Sequence, residues 1–244
     1  MYKSKTLSTL ITGFMLLSLS TLTAGEVSAS DIITKAFKHT SSLKSYAFHA
    51  TIAEEEAQED GTFITYNYTR AVKVNRPAQL RIDSKGKYLD NTTTLDHGLY
   101  TVVRHKDKTY SQLTVPKSID EAIEAVLDKY TLQKAPLASL VYNDPAKHVK
   151  LDKALYLGKD TLDAVVCDHV RFSKKNRVVD IWVTQSKTPQ IIAYHINDTN
   201  NQPPVHIKAK ITWDEKPNIS PKDFVFQAPK ESKKVEILTE DSEG

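Results

Sequence analysis

The sequence contains one cysteine, Cys167, in 244 residues. A lone thiol forms no internal disulfide, and it excludes a cysteine-only zinc site within the chain. Glycine is also sparse, with seven residues and no Gly-rich loop of the kind that cradles a phosphate. No charge sign prevails. The 33 Lys and Arg stand against 30 Asp and Glu, a formal net charge of +3, too small and too evenly spread to mark nucleic acid as the main partner. Beyond the first thirty residues no segment is long and apolar enough to cross a bilayer, which takes about 20 mostly apolar residues. What remains, with 40% hydrophobic and 26% charged residues, is an ordinary globular composition, neither collagen-like nor disordered.

The start of the chain reads as an export signal. Lys3 and Lys5 precede an apolar stretch from Leu7 to Leu22, and Val27-Ser28-Ala29 supplies the small-residue pattern at which signal peptidase cuts. The expectation is a signal peptide over residues 1–29 and a mature, soluble chain starting near Ser30. Leu22-Thr23-Ala24-Gly25 resembles the front of a lipoprotein box, but Glu26 stands where the lipid-carrying cysteine belongs. Residues 30–238 read as a single domain without internal repeats, and residues 239–244 as a frayed acidic tail.

Periodicity predicts mostly strands. A short amphipathic helix opens the mature chain, capped by Ser30, with Ile32, Ile33, Ala36, Phe37 and Leu43 at helical spacing. Ile64, Tyr66, Tyr68, Val72 and Val74 then alternate with Thr65, Asn67, Thr69 and Lys73, the period of a half-buried strand. Asp60-Gly61 is a hairpin signal that makes residues 46–58 its antiparallel partner. Further strands are predicted over residues 79–83, 88–95 and 99–112, the last interrupted by the turn-forming residues 105–108. After a helical insert come strands at 155–158, 164–172, 178–184, 190–196 and 205–213. The insert starts with a capping box, Ser118 to Glu121, and Ile119, Ala122, Ile123, Val126, Leu127 and Tyr130 form an apolar stripe. Ala135-Pro136 interrupts it, Leu137 to Val141 adds a helical turn or two, and Asn143-Asp144-Pro145 closes it. About ten antiparallel strands with two helical segments make an α+β protein, a large curved sheet wrapped around a helical insert.

Few residues invite chemistry. Cys167 and His169 share one face of a strand, but neighbours on a strand run parallel and make a poor nucleophile and base pair. They read as a buried small residue beside a hydrogen-bonded histidine. His195 and His206 are candidates to meet across adjacent strands as metal ligands, yet the eight histidines show no HxH or HExxH spacing. The acidic run Glu54-Glu55-Glu56 with Glu59 and Asp60 lacks the ligand spacing of a calcium loop. The expectation is therefore no catalytic residue, no metal and no cofactor. Aromatic residues carry more interest. Tyr66, Tyr68, Tyr100, Trp182, Tyr194 and Trp213 lie in predicted strands, and with Ile123 and Val126 of the helix they are the candidate lining of an apolar ligand cavity between sheet and insert. The competing reading makes them core residues.

The order of motifs is recognisable. Val74-Asn75-Arg76-Pro77-Ala78-Gln79-Leu80-Arg81, then Asp96-His97-Gly98-Leu99-Tyr100, then Lys108-Thr109-Tyr110 resembles the first half of the lipoprotein-carrier (LolA and LolB-like) superfamily. The helix from Ser118, Pro136 to Leu140, Tyr156-Leu157-Gly158, Cys167 to Phe172, Asp180 to Val183, Pro189, and Trp213 to Phe226 with Pro229 is similar to a family of predicted periplasmic proteins of that fold. Asp96-His97-Gly98 departs by one residue from the usual Asp-Gly. The resemblance implies a LolA-like fold, an incomplete antiparallel β-barrel closed by helices. It also implies a soluble periplasmic binding or carrier protein for an apolar ligand or lipoprotein acyl chains, not an enzyme. The alternative is an envelope scaffold that binds a protein partner. Neither nucleic acid nor a membrane span after signal cleavage is expected.

Overall fold

The computed structural model describes residues 28–58, 60–129, 137–149, 153–199 and 204–236. All but the last two residues of the expected signal peptide, the break at Ala135-Pro136, Tyr130 and the acidic tail lie outside them. Helix α1 (Ala29–Ser42) is followed by β1 (Ser45–Ala57), β2 (Phe63–Asn75), β3 (Gln79–Gly86), β4 (Asp90–Asp96), β5 (Leu99–Arg104) and β6 (Thr109–Thr114). The insert holds α2 (Ile119–Lys129), a 3-10 turn (Ala138–Leu140) and α3 (Pro145–His148). Then come β7 (Ala154–Leu162), β8 (Val165–Lys174), β9 (Arg177–Thr184), β10 (Ile191–Asp198), β11 (Val205–Asp214) and the two-residue β12 (Lys233–Lys234). All twelve strands form one sheet in the order β12-β6-β5-β4-β3-β2-β1-β11-β10-β9-β8-β7. Every described pairing is antiparallel except the short β12–β6 contact. The expected open antiparallel sheet is therefore present, with β7 at one edge.

Turn chemistry sets the register. Between β1 and β2, Asp60 Oδ1 accepts from the Thr62 backbone N–H at 2.9 Å, and Gly61 takes the left-handed φ of +82° that the turn requires. At the departure from the family pattern, His97 and Gly98 both have positive φ, 49° and 99°, and form a two-residue turn whose twist matches the flanking β4 and β5. A Cβ on Gly98 would come within 2.9 Å of the Val115 carbonyl oxygen, so glycine is needed for space as well as conformation.

The helices follow their signals with two corrections. The cap of α1 is Ser28, not Ser30: its Oγ accepts from the Asp31 N–H at 3.3 Å, because with the helix starting at Ala29 Asp31 is the third helical residue, whose N–H lies within reach of a cap side chain. The insert does not close at Asn143-Asp144-Pro145. Pro145 starts α3, since a proline at the first helical position forfeits no intrahelical hydrogen bond. Ser118 caps α2 as expected, its Oγ receiving the Glu121 N–H at 3.3 Å, but the Glu121 side chain meets the Ser118 hydroxyl, which donates to its Oε2 at 3.0 Å.

Both helical segments pack on one face of the sheet. Residues that alternate inward, including Phe48, Ala50 and Ile52 of β1, Val72 and Val74 of β2, and Tyr194 and Ile196 of β10, join Ile33 and Phe37 of α1 and Ile119 and Ala122 of α2 in one core. The outer face carries a smaller cluster of Cys167, Trp182 and Ala193, which accounts for strands that read as apolar on both sides. Over β2 and β3 the outer face is crossed by the C-terminal segment. There Lys73 Nζ donates to Asp223 Oδ1 at 2.6 Å, Arg81 Nη1 donates to the Asp223 carbonyl at 3.1 Å, and Phe224 is buried.

One side chain joins the layers. Arg76, just after β2, donates from Nε to the Leu43 carbonyl at 3.1 Å, from Nη1 to the Tyr142 carbonyl at 2.6 Å, and from Nη2 to Tyr46 Oη at 2.8 Å. The Tyr46 hydroxyl in turn donates to the Leu140 carbonyl at 2.6 Å. The end of α1, the start of β1 and the insert thus share one buried polar junction. Removing the phenol oxygen by Tyr46→Phe leaves the Leu140 carbonyl without its donor, and should lower unfolding stability by about 1–3 kcal/mol. Urea denaturation checks this, and a wild-type midpoint would show that the junction adds nothing.

Candidate functional site

Between α2 and the inner face of β2–β5 lies a cavity of about 180 Å³. The sheet supplies Arg70, Val72, Leu80, Ile82, Thr93 and Tyr100. The register explains this set: Val72 pairs with Ile82, and Ile82 with Thr93, so three strands present one rung to the same side. Helix α2 contributes Ile123, Val126 and Leu127, and the turn after it Leu137, Ala138 and Val141. The stripe read from the sequence thus splits in two. Ile119 and Ala122 sit in the core, while Ile123 and Leu127, half-buried, face the cavity with the buried Val126.

The helical roof is held by polar contacts. Asp120 accepts the N–H groups of Asn143 at 2.5 Å and Asp144 at 3.2 Å, and the Ile119 N–H donates to the Pro77 carbonyl at 2.9 Å. The His148 ring lies between Asp120 Oδ2, 3.2 Å from Nε2, and Glu124 Oε1, 3.1 Å from Nδ1, and stacks on Tyr142 with centroids 4.0 Å apart. Tyr142 donates to Glu124 at 2.7 Å. Burial, with that carboxylate beside it, raises the Tyr142 phenol above its ordinary value. These contacts tie α2 to α3 and to the loop after β2.

The inner face becomes polar toward the far ends of β1 and β2. Tyr68 donates to Glu54 Oε2 at 2.9 Å, and its phenol is pushed up to about 12, chiefly by burial. The Arg70 guanidinium lies 5.4 Å from the centre of the Tyr68 ring. Burial also raises the Tyr194 phenol, against the nearby charge of Arg70. Arg70 was not singled out in the sequence. Its signal was the alternation of β2, in which the series Tyr66, Tyr68, Arg70, Val72, Val74 places one cation at an inward position.

The structure distributes the expected lining residues among several places. Tyr100, Ile123 and Val126 line the cavity. Tyr66 and Tyr68 border a separate groove with Gly86, Lys87 and Tyr88, where the Tyr66 and Tyr88 rings meet edge to face at 6.0 Å. Tyr194 and Trp213 belong to the inner core, with Trp213 against Tyr46 and Phe48 and its Nε1 donating to the Ile191 carbonyl at 2.8 Å. Trp182 does not face the inside. It pairs with His169 on β8 and Ala193 on β10, positions in outward phase, so the alternation of β9 turns it away from the cavity.

On that outer face Trp182 stacks on His169 at 4.3 Å and meets the His195 ring at 4.6 Å, while its Nε1 donates to Asp160 Oδ2 at 2.8 Å. His169 Nε2 lies 3.0 Å from Asp180 Oδ1, and Asp180 also receives Arg171 at 2.8 and 3.0 Å. These partners outweigh burial and hold the Asp180 carboxyl below its usual range. His206 is stacked on Phe63 and sits 3.7 Å from Glu55, and it pairs with Asn197, two residues along β10 from His195. Among the described residues no group of three or more metal-ligating side chains converges.

Cys167 is inaccessible, its Sγ donates to the Val165 carbonyl at 3.3 Å, and burial pushes its thiol up. A nucleophilic thiol has the opposite properties. An alkylating reagent at neutral pH should therefore label Cys167 slowly in the native protein and fast after unfolding, and Cys167→Ala should cost about 1–2 kcal/mol of stability. Rapid native labelling would overturn the structural role.

An uncharacterized conserved protein from Thermus thermophilus shares this fold, covering 86% of this chain and 100% of its own at 11% identity with a TM-score of 0.52. A LolA superfamily protein, NE2245 from Nitrosomonas europaea, is similar over 82% of this chain and 99% of its own, with 11% identity and a TM-score of 0.41. LprF from Mycobacterium bovis is similar over 84% and 97%, with 11% identity and a TM-score of 0.40. No curated protein matches the sequence significantly. The family model described as predicted periplasmic protein (DUF2092) matches residues 29–238. With most of its length matched, the chain belongs to the DUF2092 family of predicted periplasmic proteins.

Proposed function

We propose that the protein is a periplasmic carrier or binding protein that holds an apolar or acylated ligand beneath α2. The observation that supports it is the cavity itself, walled by Val72, Leu80, Ile82, Ile123, Val126 and Leu127 at the seam between sheet and helical roof. A well-packed core leaves few voids larger than a water molecule, so an apolar space of about 180 Å³ is a feature to be filled. Sequestering an alkyl chain there gains about 0.8 kcal/mol per buried methylene and needs few directional contacts. This fits a lining that includes no cysteine, serine, histidine or carboxylate, and the described residues hold no metal cluster. Export by removal of residues 1–29, which takes the Ser28 cap and Ala29 from α1, is part of the proposal, and N-terminal sequencing of the mature protein tests it.

A scaffold role has its own support. At the β7 edge of the sheet, next to unpaired strand backbone, Leu155 and Leu157 are exposed at one end of β7, and Val165 and Val166 of β8 at the hairpin end. Native mass spectrometry of protein purified from its own envelope separates the readings, since a co-purifying lipid supports the carrier and a bound protein without lipid supports the scaffold. In vitro, Ile123→Trp should fill the cavity and weaken binding of the apolar dye N-phenyl-1-naphthylamine at least about tenfold, the loss of one to two buried methylenes' worth of contact. Unchanged dye affinity in a folded Ile123→Trp variant would remove the cavity from the account.

A further inference from the structure

The cavity has one charged wall. Arg70 stands at an inward position of β2 between Tyr68 and Val72. A cation half-buried in an apolar wall is costly unless a carboxylate or several acceptors receive it. Among the described residues no hydrogen bond or ion pair engages its guanidinium, and its Nε is buried without a partner. The carboxylate beside Tyr68, Glu54, is committed elsewhere, accepting from the Tyr68 hydroxyl at 2.9 Å.

A second unpartnered donor lies on the same inner face. Tyr194 is 4% exposed, and its hydroxyl is buried with no hydrogen-bond partner among the described residues. Its rung, Tyr194–Ala209–Ile52–Tyr68, crosses from β10 to β2 and ends one inward position from Arg70, whose charge acts on the Tyr194 phenol. Arg70 Nε, at the wall of a cavity that is otherwise almost wholly apolar, and the Tyr194 hydroxyl, on the same inner face outside that lining, are thus buried without an acceptor among the described residues, as is Arg177 Nε. Buried polar groups left this way are rare in folded proteins.

We propose that the cavity takes an amphiphile with an oxyanion head, a carboxylate or a phosphate monoester, the head accepting from the Arg70 guanidinium and the Tyr194 hydroxyl and the alkyl chain lying under α2. A planar guanidinium suits both heads, because it donates two parallel N–H bonds to either. The inference rests on the carrier reading and adds the chemistry of the ligand's polar end.

Calorimetry with decanoate, decyl phosphate and decanol tests it on the mature protein. Arg70→Met should weaken decanoate or decyl phosphate about 10- to 100-fold, the loss of one charge-assisted hydrogen-bonded pair, and leave decanol within about threefold. Tyr194→Phe should weaken the same anions about 3- to 10-fold. Whichever anion binds wild-type protein more tightly identifies the head. Arg70→Met should also melt close to wild type, since among the described residues the partner its guanidinium finds is the Tyr68 ring. Equal losses for decanol and the anions, or no loss for either, would overturn the head-group inference while the cavity reading stands. Failure of all three ligands to bind wild-type protein would sink both. If Arg70→Met melts much lower, Tyr194→Phe decides, because it deletes only an unpartnered hydroxyl, and unchanged anion affinity in that variant overturns the proposal.

Discussion

The junction at Arg76 is the constraint on which the architecture depends. A sheet built from two meanders and a roof made of short helical pieces have no covalent reason to stay in register. Their ends expose carbonyl groups that must find donors once buried. One guanidinium supplies several of them at once: carbonyls of Thr40 and Leu43 at the end of α1, carbonyls of Val141 and Tyr142 in the insert, and the Tyr46 hydroxyl of β1. A lysine at this position would offer a compact ammonium with three donors and could not span so many acceptors in a fixed plane. The next residue, Pro77, continues the link, its carbonyl receiving the first N–H of α2 and the Asn143 amide.

That anchoring explains why a cavity survives beside a dense core. At the Arg76 end, Tyr46, Val74, Ile119 and Leu140 close completely. Farther along β2 the roof is carried by α2, whose Ile123 and Leu127 stand over Val72 and Ile82 without filling the space. The inner face then changes character, from Val74 and Val72 through Arg70 to Tyr68 and its Glu54 partner. The result is an apolar chamber with a polar end, and it arises from a single strand that carries both parts.

The outer face shows the opposite use of polar groups. His169, Asp180, Arg171, Trp182 and Asp160 satisfy one another across β7, β8 and β9, and Cys167 is enclosed beside them. Residues with chemical potential are there engaged in cross-strand packing, of the kind that stabilises antiparallel pairs. Among the described residues the buried donors without a hydrogen-bond partner are on the inner face, Arg70 Nε, Arg177 Nε and the Tyr194 hydroxyl, and they stand out against this background.

Local order was legible without coordinates. Alternation placed β2 and β11, Asp60-Gly61 placed the hairpin of β1 and β2, the capping box placed α2, and the run of motifs around Arg76-Pro77 pointed to the family, because each depends on residues close in the chain. Register is different. Whether Trp182 faces in or out depends on which residue of β8 it pairs with, and a shift of one residue reverses the answer. Trp182 therefore could not be assigned to a face from a strand that is apolar on both sides. Arg70 was hidden for a related reason: its inward phase is visible in β2, but its lack of a partner is a property of every strand and helix around it. The sequence alone determined the elements, the antiparallel class and the apolar roof. The tertiary structure decided which side chains share the cavity and which donors are left unpaired, because those depend on contacts between residues far apart in the chain.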